Sequence, residues 1–472
     1  MKNYSMKPTD ENAIEFLRTD PIGRNSIVFR FITLLNNIQE SCTIAINGEW
    51  GSGKTFFIQQ SRLILEALNA GPKMDDATRN AILSRYPNAN EQMECHTTVY
   101  YDAWTYDNDD DPILSLLYAT IASHQSDFTP DRKRSALDIA AKIANVFAGG
   151  VSMASGASAS GGNIGDMMKE VVGEDILDEY KTADDIRKMV KEFIDSLIHE
   201  HGNRLVFFID ELDRCKPDYA IRFLERIKHY FDDDRVTFVF AVSLSQLQAT
   251  VKNYYGAEFD SSRYLDKFFD LRINLPSPDI ERFMQQRLNL YEQTTSDSVC
   301  IEVARRYDLS LRECERYVRL VKICIQPAAK RSSTAFGEDK ANYFTLTYIL
   351  PIMLALQMTD IQAYTRFVSG NDASPLVDVL QWQNLWLEYG FLTDTSEEYD
   401  TTKMAIVSKA TGTTIAPIRE RLQDVYDALF SKSLRRRNDK TRVGVMLISD
   451  DTRKYLEQVI SLLSQFSEYK YE

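Results

Sequence analysis

Eight consecutive residues have the types and the order to hold a phosphate: Gly48-Glu49-Trp50-Gly51-Ser52-Gly53-Lys54-Thr55. Two glycines bracket four residues and Lys-Thr follows, which is the GxxxxGK(S/T) pattern of a phosphate-binding loop. The glycines allow positive φ and let the main chain come close to the anion. Successive N–H groups of the loop, and the N-terminus of a helix opening at Phe56, then point at the phosphates. Lys54 is the cation that would reach the β- and γ-phosphates of ATP, and the Thr55 hydroxyl would ligate Mg²⁺.

Hydrolysis also needs a second carboxylate to organise the metal and a group to orient or activate water. Asp210 and Glu211 offer both types at the end of an apolar run, Asp210 toward the metal and Glu211 toward the water. An acidic pair in that place can instead cap a helix; the upstream loop favours the chemical roles. Ser243 ends a later apolar run, where it could sense the γ-phosphate or do nothing. Transition-state charge calls for an arginine, and Arg214, Arg263 and Arg312 are candidates. The sequence does not choose among them, nor between an arginine of the same chain and one from a neighbour. Arg312 falls on the first turn of a helix that reads as a lid, from which it could reach the nucleotide.

These residues need rigid elements beneath them. Residues 44–46 read as a short buried strand, and 56–68 as an apolar-striped helix. Residues 97–101 predict a second strand ending in Asp102-Ala103-Trp104, and 113–121 an apolar helix behind Pro112, which a first turn tolerates. Residues 182–199 are amphipathic. Residues 204–209 form the near-continuous apolar run of a strand covered on both faces. A helix over 219–231 and a strand over 236–242 follow. Strands alternating with helices give a mostly parallel sheet. Pro276 and Pro278 mark a boundary, beyond which the periodicity is helical: 280–291, 299–307, 311–325, 376–390, 415–431 and 453–468.

The totals exclude other classes. The 472 residues carry 55 basic and 69 acidic side chains, a net charge of −14, which argues against a surface that coats nucleic acid. Five cations in residues 435–442, including Arg435, Arg436 and Arg437, are the one local exception, and a solvated surface is the expectation there. The six cysteines form no CxxC pair and read as reduced, buried thiols. The polar N-terminal residues do not read as a secretory signal. Residues 143–165 are uncharged and long enough on paper to span a bilayer, but Gly, Ala and Ser gain little from lipid. We expect a flexible or loosely packed insertion there, with a self-association element as the lesser reading. Residues 341–359, interrupted by Pro351, are expected to be a buried core helix.

The motifs together resemble the KAP family of P-loop NTPases. That family's first motif is Gly-Glu-Trp-Gly-Ser-Gly-Lys-Thr, present here as Gly48 to Thr55. Its second strand ends in Asn-Ala-Trp, which Asp102-Ala103-Trp104 resembles. Its Asp-Asp-Leu-Asp-Arg-Cys motif is close to Asp210-Glu211-Leu212-Asp213-Arg214-Cys215, and Tyr264-Leu265-Asp266-Lys267 is similar to its Tyr-Leu-Glu-Lys. Asp102 stands for Asn, Glu211 for Asp, and Ser243 where Asp is frequent. The resemblance covers about residues 20–325.

With the helical periodicity beyond Pro278, the reading is an α/β P-loop NTPase sheet flanked by helices, followed by an α-helical lid and an α-helical C-terminal domain. The expected division is 1–276 for the NTPase domain with an insertion near 130–180, 277–335 for the lid, and 336–472 for the C-terminal domain. The reading is an ATP- and Mg²⁺-dependent switch that hydrolyses slowly, cytoplasmic with membrane association as the alternative, and without a stable membrane span. A homo-oligomer is expected if a neighbour supplies the arginine, or else a defence-system partner, because many bacterial family members are similar to phage-exclusion proteins. The rival readings are a non-hydrolysing scaffold stabilised by nucleotide and a nucleic-acid motor; the acidic charge speaks against the second.

Overall fold

The structure is a computed structural model, and it describes residues 7–69, 74–87, 95–109, 111–123, 130–151, 183–198, 204–288, 295–331, 340–380, 389–430 and 440–465. The chain forms two compact units, Met1–Pro278 and Asp279–Glu472.

The first unit is built on five parallel strands: β1 (Cys42–Asn47), β2 (His96–Asp102), β3 (Arg204–Asp210), β4 (Val236–Val242) and β5 (Leu271–Asn274). Their order is β2-β3-β4-β1-β5. β3 and β4 are buried along their whole length, which is why their sequences read as near-continuous apolar runs. Alternate residues face opposite ways. Phe207, Ile209, Phe238 and Phe240 enter one core, with α5 (Pro112–Ser123), α6 (Pro130–Val151), α7 (Ala183–Leu197) and α8 (Pro217–Tyr230). Val206, Phe208, Val239 and Ala241 enter the other, with α1 (Asp10–Thr19), α2 (Asn25–Asn37), α3 (Lys54–Leu68) and α4 (Asp76–Leu83). Each large side chain buried this way contributes roughly 1.5–3 kcal/mol. Two further helices, α9 (Leu244–Tyr255) and α10 (Ser261–Leu265), follow β4. Register aligns Asp102 with Asp210, Asp210 with Ala241, and Asn47 with Val242. The carboxyl ends of four strands therefore meet at one sheet edge, where open α/β sheets bind ligands.

α6 runs into the uncharged stretch. Residues 143–151, read as a loose insertion, continue a helix whose Ala136, Ile139, Ala140 and Ile143 are buried. The rest of that uncharged stretch lies outside the described residues.

The second unit is mostly helical. It also carries two small antiparallel sheets absent from the sequence reading: β6 (Glu397–Asp400), β7 (Ala405–Ser408) and β8 (Thr414–Pro417), and β9 (Thr441–Val443) with β10 (Met446–Ile448). The start of the helix expected over 415–431 is thus strand, and the helix is Ile418–Phe430. Among the described residues, one helix is long and apolar enough to cross a membrane, Lys340–Thr359, and 78% of its 18-residue apolar window is buried inside the protein. A π-helical turn, Thr345–Ile349, precedes Pro351; such a turn absorbs the ladder bond that proline cannot make.

Candidate functional site

β1 delivers the chain into the loop, and α3 opens at Lys54. Gly51 and Gly53 have φ of 77° and 90°, which side-chain-bearing residues rarely adopt. Gly48 is closely approached: a Cβ there would lie 2.7 Å from Ser52 Oγ, which would have to turn away. Lys54 is buried and its Nζ donates to Gly48 O at 2.8 Å and Glu49 O at 3.1 Å. Burial lowers its pKa, and Asp213 and Asp210 oppose that shift. Ser52 Oγ is buried and has no hydrogen-bond partner among the described residues.

Asp210 ends β3 beside this loop. Thr55 donates to its carboxylate, and Tyr100 Oη, on β2, donates to Oδ2 at 3.2 Å. Burial pushes Asp210 up to about 7, with the nearby Glu211 charge adding to the shift and both hydroxyl donors opposing it. Glu211 has φ 58°, and its N–H donates to Asp210 Oδ1 at 3.0 Å. The turn aims its carboxylate at Arg214, 3.0 Å away. Arg214 also lies over the Trp104 ring at 5.4 Å from the centroid. Trp104 is held by Asp102, whose Oδ1 accepts the Trp104 and Thr105 N–H groups. An acceptor is all that position needs, and the Asp102 carboxylate supplies it.

Asp213 joins three segments. Its Oδ2 accepts the Trp50 indole N–H at 2.8 Å and the Ser243 N–H at 3.0 Å. Because β4 lies between β1 and β3, Ser243 stands between the loop and Asp210. Its hydroxyl is within 3.0 Å of Ser245 Oγ. Asn47 ties the neighbouring ends, accepting from Leu244 N–H and donating to Asn274. Trp50 and Trp104 are half exposed, at 50% and 51%.

The structure thus brings together Gly48, Glu49, Trp50, Gly51, Ser52, Gly53, Lys54, Thr55, Asp210, Glu211 and Arg214. Phe56 is buried, and its ring stacks on Phe16 of α1 at 4.2 Å. Arg263 is exposed on α10 and makes no ion pair among the described residues. Arg312 is the second residue of helix Leu311–Arg331 in the other unit. Arg435, Arg436 and Arg437 lie outside the described residues. Tyr100 and Asn47 were not singled out by sequence, and Asp213 only as the next candidate base after Glu211; their partners are up to 227 residues away. The donor set fits a Mg²⁺-bound nucleoside triphosphate. A hydroxyl–carboxylate pair stands beside a loop of positive-φ glycines, and a buried Ser52 hydroxyl has unused capacity.

The KAP family P-loop domain model matches residues 24–326. This chain belongs to the KAP family. Residues 24–326 are therefore a P-loop NTPase domain, a class that binds nucleotide. No curated protein sequence matches the chain. Among solved structures, the ORC2 protein of Aeropyrum pernix, in ADPNP–ADP complexes, is similar at 11% identity, over 92% of this chain and 97% of that one, with a TM-score of 0.33. A superposition that loose says nothing about the KAP site described here.

Proposed function

We propose that this KAP domain binds ATP with Mg²⁺ and hydrolyses it slowly, as a switch whose nucleotide state sets lid position and assembly, with defence against phage as a role. The observation that carries the reading is the convergence of Lys54, Thr55, Asp210 and Glu211 at one sheet edge. Lys54 and the loop N–H groups would hold the β- and γ-phosphates. Thr55 and Asp210 would hold Mg²⁺, which neutralises phosphate charge when bound. Glu211 takes the proton of the attacking water, and Arg214 or Arg263 meets the charge that develops. The division at 277–335 and 336–472 into lid and C-terminal domain belongs to the same proposal, as does a contribution of Arg312 from the lid.

Lys54→Ala tests it. The variant should bind Mg-ATP roughly 100-fold more weakly or worse by calorimetry, the scale of losing one member of a buried charge pair. Equal affinity for variant and wild type would remove the nucleotide assignment. Tight binding by wild type with no turnover would leave the non-hydrolysing scaffold.

A further inference from the structure

Arg24 is 2% exposed, yet no carboxylate pairs with its side chain among the described residues. Its pKa falls to about 10, from burial alone. A guanidinium so placed must be held by carbonyls. Nη1 donates to Ser52 O, in the phosphate-binding loop, at 2.5 Å, and Nη2 donates to Pro276 O. Nε is buried and has no acceptor among the described residues. The main chain at Arg24 is itself fixed, because Asp20 Oδ1 accepts the N–H groups of Arg24 and Asn25 at 2.8 and 3.1 Å.

The two carbonyls matter for where they stand. Ser52 O and Gly53 N–H belong to one planar trans peptide, so they point in opposite directions. Pinning the oxygen on Arg24 aims the Gly53 N–H away from Arg24. Pro276 comes two residues after β5 and three before Asp279, where the second unit begins. Guanidinium is a rigid planar fork, so a rotation of the Ser52–Gly53 peptide moves one prong and displaces the other.

We infer that Arg24 is a positioning residue that relays the state of the phosphate-binding loop to residues 275–279, the chain's exit into the second unit. It deepens the nucleotide reading above and rests on it. An anion on the Gly53 N–H polarises that peptide and strengthens the bond from Arg24 to its oxygen. The fork then holds Pro276 O more firmly. Lysine keeps the charge but is a point donor and cannot span both carbonyls in this planar geometry.

The experiment is amide hydrogen exchange by mass spectrometry on the full chain, with and without Mg-ATP, for wild type, Arg24→Lys and Arg24→Gln. Calorimetry runs alongside. In wild type, nucleotide should slow exchange at Ser277 and Asp279 by about threefold or more. In variants that fold and still bind nucleotide, that slowing should vanish while the loop's own protection remains. Equal slowing at Ser277 and Asp279 in a nucleotide-binding variant overturns the relay. So do variants that fold but no longer bind, because Arg24 would then belong to the pocket itself. If neither variant folds, wild type decides: unchanged exchange at residues 275–279 overturns the inference. Wild type that binds no nucleotide is a separate result, read by calorimetry, and it defeats the function proposed above first.

Discussion

Glu211→Gln separates chemistry from folding, and the structure fixes the scale of both effects. The substitution keeps shape and main-chain conformation, so the cost of holding a non-glycine residue at φ 58° is unchanged. What is lost is one charge. Its partner, Arg214, is 3.0 Å away, and the two side chains are 20% and 24% exposed. A pair so placed near the surface contributes about 1 kcal/mol or less. For a unit of this size that shifts the melting temperature by roughly 2–4 °C. A lost general base costs about 10²–10⁴ in rate, which is roughly 3–5 kcal/mol of barrier. The catalytic loss should therefore exceed the loss of stability severalfold. The assay is phosphate release at saturating Mg-ATP, with melting curves and calorimetry on the same preparations. Turnover within about twofold of wild type, with ATP binding intact, would refute the assignment. Asp213 is then a poor replacement, because its Oδ2 already accepts two N–H groups.

Asp210 gives a pH test. Its folded-state pKa is raised to about 7 from an ordinary 3.8, so its contribution to stability is present below 3.8 and lost as pH rises toward 7. Nucleotide-free Asp210→Asn should melt above wild type at pH 8, with the gap closing near pH 4; an equal gap at both pH values would contradict this. For assembly, the expected outcome is an ATPase rate per chain that rises with protein concentration and loses that rise in Arg263→Ala. A rate flat with concentration in wild type would end the model of an arginine supplied by a neighbour.

The core of the fold was legible because burial on both faces removes the need for polar alternation. β3 and β4 are apolar along nearly their whole length, and few structures other than a central strand explain that. β5 was not legible: Leu271-Arg272-Ile273-Asn274 is short, polar at alternate positions and mostly exposed at the sheet edge. β6 is built from Glu397-Glu398-Tyr399-Asp400, whose local preference is against strand, so tertiary pairing with β7 decides it. The phosphate-binding loop is visible because its chemistry is contiguous. Asp213 and Arg24 are not, because a side chain's use is set by partners 163 and 252 residues away in sequence, and no spacing rule reports such a contact.

Geometry also separates the arginines, which sequence left equal. Arg214 lies in its own chain's site, paired with Glu211 and packed on Trp104. Its neighbour Asp213 is anchored to Trp50 of the loop, so the turn carrying Glu211 and Arg214 is braced against the segment that would hold phosphate. A γ-phosphate would compete with Glu211 for Arg214. The more Arg214 turns to phosphate, the freer Glu211 is to take a proton from water, so one movement would supply both the cation and the base. That coupling needs no second copy. Arg263 is exposed and free of ion pairs among the described residues, and so it is available to a neighbour. Arg214→Ala should therefore lower the rate at every protein concentration, whereas Arg263→Ala should act only where the wild-type rate has begun to rise.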